Sequence, residues 1–208
     1  MAWANIKADS IKLADIRTGT PIQEASIELM EHAKGFDMPS TDLFYSRQDV
    51  KALTRAVVEK DITLVMERCV AALSVQTHLL INRYGESTEP YFLVVRGTAS
   101  TFNFLCQPNE KRPGCAPVVE KDITGDLLAR PFKVFPTRDD RSLTIDIYRG
   151  DELLVSVDRD SRGEPIKVAA AKHTHVDIDF ESTDMVVTVI VDNWDEVDQD
   201  TQVKKRQT

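Results

Sequence analysis

The chain has 208 residues, of which 26 are basic and 34 acidic, giving a net charge of −8 and a pI of about 5.1. With 42% hydrophobic and 29% charged residues it is too apolar for a disordered chain, and it lacks the periodic composition of a collagen or a coiled coil. A chain of this length buries on the order of 70% of the surface exposed by its unfolded form, so folding requires no metal or disulfide framework.

At the N-terminus, Lys7, Asp9, Lys12 and Asp15 interrupt the apolar residues, and no signal-peptide core forms. The longest uncharged apolar stretch, Cys69 to Asn82, is too short to span a bilayer. Both observations predict a cytoplasmic protein, free or incorporated into an assembled particle.

Residues 1–86 read as a helical region. Ala25 to Ala33 forms a short amphipathic pattern that Gly35 would stop. Ser46, with Asp49 three residues on, reads as the cap of a helix from Arg47 to Lys60. Ile62, Val65, Met66, Cys69, Val70, Leu73, Leu80 and Ile81 recur at helical spacing. Leu64, Ala71, Ala72, Val75 and Leu79 fill the opposite side, so this helix would be central or would dock a partner. Tyr84-Gly85 would end it. The heptapeptide VVEKDIT occurs at Val57–Thr63 and again at Val118–Thr124, with unrelated flanks.

After Pro90 the period changes from helical to alternating, and residues 90–192 read as an antiparallel β region. Strands are predicted over Tyr91–Arg96, Thr101–Cys106, Ser142–Arg149, Glu152–Asp158, Ile166–Lys172, His175–Phe180 and Met185–Val191, with a short extended piece at Pro131–Phe135. A helical turn is predicted at Asp126–Ala129, and Gly150-Asp151 reads as a tight hairpin turn. Residues 193–208 read as a charged, flexible tail. The predicted fold is therefore α+β, a helical N-terminal half packed on an antiparallel β-sandwich-like C-terminal half.

Chemistry-bearing residues are sparse. His173, His175, Asp177 and Asp179 would share one face of a strand. Two imidazoles at i and i+2 can meet one metal ion, and Asp177 could add a third ligand. The solvated face of a strand with a core on its other side explains the same pattern. The run from Asp158 to Gly163 starts like a calcium loop, but Arg162 stands where an oxygen ligand is needed, so a polar turn is the better reading. Arg149-Gly150-Asp151 spells an adhesion tripeptide within the predicted hairpin turn. Cys106 and Cys115 could bridge if their flanking strands paired; three cysteines without a CxxC pair read instead as free thiols. No nucleophile elbow or phosphate-cradling loop is present, so no catalytic residue and no cofactor is assigned.

Charge is uneven. Residues 1–150 hold 19 basic and 20 acidic groups, and residues 151–208 hold 7 and 14. Such an acidic surface disfavours nucleic acid as a partner. Interface candidates are Trp194 with Lys204, Lys205 and Arg206 in the tail, and Arg138 and Arg141 on a basic turn that could meet the acidic region of another copy. These features point to a non-enzymatic structural or adaptor subunit of a larger assembly, such as a virion or a secretion machine, acting through protein partners. A metal-dependent enzyme or sensor on the His173/His175 face is the alternative. A ligand- or RNA-binding module at residues 130–141 is a third reading.

Overall fold

The computed structural model describes residues 1–14, 17–32, 35–48, 63–109, 114–181 and 184–194. In chain order its elements are β1 (Ala2–Ala4), β2 (Ile11–Leu13), β3 (Ser26–Leu29), β4 (Glu31–His32), β5 (Gly35–Phe36), β6 (Phe44–Ser46), β7 (Glu67–Arg68) and β8 (Ala71–His78). After these come α1 (Leu80–Tyr84), β9 (Tyr91–Arg96), β10 (Thr101–Asn103), β11 (Pro108–Asn109), β12 (Glu120–Lys121) and β13 (Leu127–Val134). β14 (Thr144–Arg149), β15 (Glu152–Val157), β16 (Lys172–Asp179) and β17 (Val186–Asn193) complete the set.

Among the described residues the protein is almost entirely β-sheet, with no helical N-terminal half, which corrects the α+β expectation. Among the described residues the only helix is the five-residue α1. Ala25–Ala33 is not a helix; Ala25, Ile27 and Leu29 are buried while Ser26 and Glu28 are half-buried, the period of two of a strand. The predicted helix from Arg47 to Lys60 lies, beyond Gln48, outside the described residues, as does most of the first VVEKDIT copy. The second copy contributes Glu120 and Lys121 to β12. Within the predicted helical turn at Asp126–Ala129, Leu127–Ala129 open β13 instead.

The segment read as a central helix is instead a central strand. Every residue of β8 from Ala71 to Val75 is buried, so side chains pointing to either face of the sheet meet protein. A run that is apolar on all sides satisfies helical spacing and a two-sided strand equally well. β8 lies in the middle of a five-stranded sheet ordered β12-β13-β8-β16-β17. It pairs antiparallel with β13 and parallel with β16, Ser74 standing opposite His175. Beyond it the chain turns through Leu79, at φ 60, into α1, which ends where Gly85 N–H donates to Ile81 O over 2.7 Å.

The other sheets have the orders β15-β14-β9, β11-β10-β3-β2, β1-β6-β7 and β4-β5. One core joins them. Phe102 of β10 packs on Phe135 with ring centroids 4.4 Å apart, and Trp3 of β1 lies 6.2 Å from Phe102. Gly97 is required in the turn after β9: at φ +85, a Cβ there would stand 2.1 Å from the Ser142 carbonyl oxygen.

Asp146 in β14 is fully buried. It accepts from Ser156 Oγ at 2.6 Å, and its other oxygen stands 2.5 Å from Arg96 Nη2. Removing the arginine leaves a buried carboxylate without its counter-charge. Arg96→Ala is expected to cost about 3 kcal/mol in urea unfolding; an unchanged midpoint would mean that Ser156 alone satisfies Asp146.

Candidate functional site

Three regions outside the hydrophobic core gather polar or reactive side chains. The first is a cavity of about 340 Å³ whose walls include Tyr45, Phe102, Cys69, Cys106, Arg138 and Lys167. Cys106 Sγ lies 3.1 Å from Cys69 Sγ, not beside Cys115, and all three thiols are free. The hydrogen bond between the Cys69 and Cys106 thiols lowers the Cys106 pKa against the opposing effect of burial. Cys69 is pushed up by that same bond, by burial and by the neighbouring Cys106 charge. Next to this pair, the Arg68 guanidinium stands 3.2 Å from Asp42 and 4.3 Å from the ring centre of Trp194. Trp194, expected on a free tail, thus packs on its own chain.

The second region is a face of the central sheet. His173, His175 and Asp177 do share a face, and the parallel register with β8 adds Ser74 and His78 to it. Ser74 Oγ lies 2.9 Å from His173 Nε2 and 2.7 Å from His175 Nδ1. His175 Nε2 lies 3.0 Å from Asp177 Oδ1, and His78 Nε2 3.7 Å from the same oxygen. The residues form a ladder bridged by a serine hydroxyl, with both nitrogens of His175 engaged. Among the described residues no group of three or more His, Cys, Asp or Glu is arranged to hold a metal ion. Sequence reasoning placed the histidines on one face but missed Ser74, because the parallel partner of β16 lies about a hundred positions earlier in the chain.

The third region is the edge of the same sheet. β17 pairs with β16 over eight residues and, among the described residues, has no strand on its other side. Val187 N–H donates to Ser161 Oγ at 2.7 Å, and Ser161 N–H donates to Val187 O at 3.0 Å. Alternation along the strand directs the N–H and C=O of Val189 and Val191 the same way, where no described backbone group meets them. Ile190 and Val191 are about half exposed, on opposite faces. Asp160 builds the loop that clamps Val187. Its Oδ1 accepts from the N–H of Arg162 and of Glu164, each at 2.9 Å, and Arg162 Nη2 stands 2.8 Å from Oδ2. The polar-turn reading of this segment therefore holds. The hydrogen bond from Glu164 N–H, with those from Arg162, keeps the Asp160 carboxyl below its usual range.

Other predicted residues are less connected. Arg138 is held by Asp140 through two 3.0 Å hydrogen bonds, and Arg141 is exposed. Phe135 is fully buried, so it cannot stack on a base in the residue 130–141 patch. Arg149 donates to Tyr84 O at 3.0 Å and to Glu152 at 2.5 Å, which ties the tripeptide's arginine to its own fold. Lys204, Lys205 and Arg206 lie outside the described residues.

The family model for fimbrillin-A associated anchor proteins Mfa1 and Mfa2 matches residues 1–200. No curated protein matches the sequence. Among solved structures, the fold is similar to the fimbrial anchor protein Mfa2 from Porphyromonas gingivalis, with a TM-score of 0.63 and 11% identity over 92% of this chain and 73% of that one. It is similar to a Bacteroides thetaiotaomicron protein provisionally described as polysaccharide binding, with a TM-score of 0.63 and 12% identity over 95% and 75% of the two chains. A third is provisionally described as an adhesin of Bacteroides ovatus, with a TM-score of 0.60 and 10% identity over 90% and 70%.

These findings bring two corrections. A family of fimbrial anchors belongs to surface appendages, so the cytoplasmic location is overturned; an N-terminus without a signal-peptide core did not license it. The assembly is fimbrial and not a virion. The broader expectation of a structural protein that works in an assembly agrees with the family.

The Asp160 loop has a pH signature. Its pKa is lowered from 3.8 in the folded state, so its stabilisation is complete above the unfolded pKa and is lost as pH falls through the folded one. Asp160→Ala is expected to melt below the wild type at pH 7, with the gap narrowing once pH drops below about 4. A gap independent of pH between 7 and 2 would show that the carboxylate charge does not hold this loop.

Proposed function

The chain belongs to the family of fimbrillin-A associated anchor proteins Mfa1 and Mfa2, and from that premise we propose that it holds a fimbrial subunit at the cell surface by strand pairing along the open edge of β17. The observation that carries this reading is the long apolar edge itself. Unprotected edges with exposed Val and Ile invite pairing with another chain, and native proteins normally blunt them with charge, proline or a covering loop. Here the Ser161 loop covers Val187, Val189 is half-buried against the core, and Ile190 and Val191 stay about half exposed. Main-chain hydrogen bonds of an added strand would supply affinity, and pockets for its alternate side chains would supply selectivity.

Neighbouring residues suit such a contact. Lys167 lines both the cavity and a recess beside Val189 and Val191, so the basic flank that includes Arg138 adjoins the edge. Arg141 adds charge to that flank. Trp194, one residue past β17, and Lys204, Lys205 and Arg206 further along belong to the same proposed interface.

Two substitutions test it. Val191→Pro removes an outward N–H while sparing the ladder to β16, and Ile190→Lys puts a charge on the exposed edge. Both are expected to change stability by no more than about 0.5 kcal/mol. Both are expected to reduce capture of fimbrial subunits, sheared from the protein's own host, by tenfold or more. Undiminished capture by both variants would sink the strand-pairing interface.

A further inference from the structure

We propose that Cys69 and Cys106 form a redox pair that closes to a disulfide, with a small-molecule or protein disulfide as the oxidant. The inference goes beyond the β17 interface and does not depend on it. Two sulfurs 3.1 Å apart need about 1 Å of further approach to reach bonding distance, roughly 2.05 Å. Both backbones are held for that approach. Cys69 N–H donates to Leu43 O at 2.8 Å. Cys106 sits at φ 60, uncommon for a residue with a Cβ, in a turn built by Asn103. There Asn103 Oδ1 accepts from Leu105 N–H and Gln107 N–H, each at 3.0 Å, and Cys106 N–H donates to Asn103 O at 2.9 Å.

The two cysteines come from different sheets. Cys69 lies between β7 and β8, and Cys106 lies in the turn between β10 and β11. Both line the 340 Å³ cavity, through which an oxidant reaches them. Cys115 is the internal control: it is buried, burial pushes its thiol up to about 12, and it pairs by backbone with Val95.

The step balances. The Cys106 thiolate, the first of the pair to form, attacks one sulfur of the oxidant RSSR and expels one RS⁻, leaving a mixed disulfide. With the charge on Cys106 gone, one of the causes that hold the Cys69 proton is removed. The Cys69 thiolate then attacks Cys106 Sγ and expels the second RS⁻. Two thiols lose two protons and two electrons, and the oxidant is reduced to two RSH.

The test uses the full chain, incubated with oxidised glutathione and then denatured for thiol counting and peptide mapping. The expected result is a fall from three free thiols to one, with a peptide containing Cys69 linked to one containing Cys106. The melting temperature is expected to rise by about 10 °C and to return with dithiothreitol, since the bond closes a long loop. In Cys106→Ser, whose site is only half-buried, both remaining thiols are expected to survive. Three thiols retained, a Cys106–Cys115 linkage, a persistent glutathione adduct on Cys106, or loss of two thiols in Cys106→Ser would each overturn the proposal. The β17 variants leave the thiols untouched, so failure of either reading is told apart from failure of the other.

Discussion

Everything in this protein is arranged around a strand with no solvent face. From Ala71 to Val75 every side chain is buried, all but Ser74 apolar, and the backbone that carries them must also be fully hydrogen-bonded. A strand inside a sheet meets both demands at once, with ladders to β13 and β16 on its two sides and packed layers above and below. The polar residues of β8 follow the same logic. Ser74 is buried and meets two imidazoles, and buried Thr77 receives the N–H of Leu127 at 2.8 Å. The short helix α1 begins where this strand stops, with Leu80 N–H held by Asp126 at 2.9 Å.

The C-terminal half was readable because its pattern is unambiguous. Ile145 and Ile147 alternate with polar neighbours, and Gly150, at φ 56, supplies the turn that returns the chain as β15. The N-terminal half misled for a definable reason. Ala25 and Leu29 fit one helical turn as well as they fit two pleats, and the apolar 69–73 run fits both periods. Length and flanking residues decide such cases, and here they favour strands. Ile166–Lys172, read as a strand from its alternation, is mostly irregular: Ile166 and Val168 are buried, but the backbone bonds at this segment reach Leu143 and Thr137 as isolated contacts.

The candidate sites show the same division. The shared face of His173, His175 and Asp177 follows from alternation within one strand, and it was visible. The closeness of Cys69 to Cys106, the stacking of Trp194 on Arg68 and the open edge of β17 all depend on which segments meet in space. Strand order decides that, and no local pattern encodes it. The residues at the start of the chain do not fix its location, whereas the fimbrial anchor family model matches residues 1–200.

The parallel pairing of β8 with β16 has a consequence for how the chain reaches this state. Ser74 and His173, neighbours in the finished sheet, are separated by 99 positions. Contacts so distant along the chain form late, because the intervening segment must surrender its freedom before they return anything. The most apolar stretch of the polypeptide therefore stays without its parallel neighbour until β16, about a hundred positions later, has been synthesised. A slow maturation of this kind keeps the chain pliable early in its life, which suits a member of a family of fimbrial anchors, whose working place lies outside the compartment that makes them.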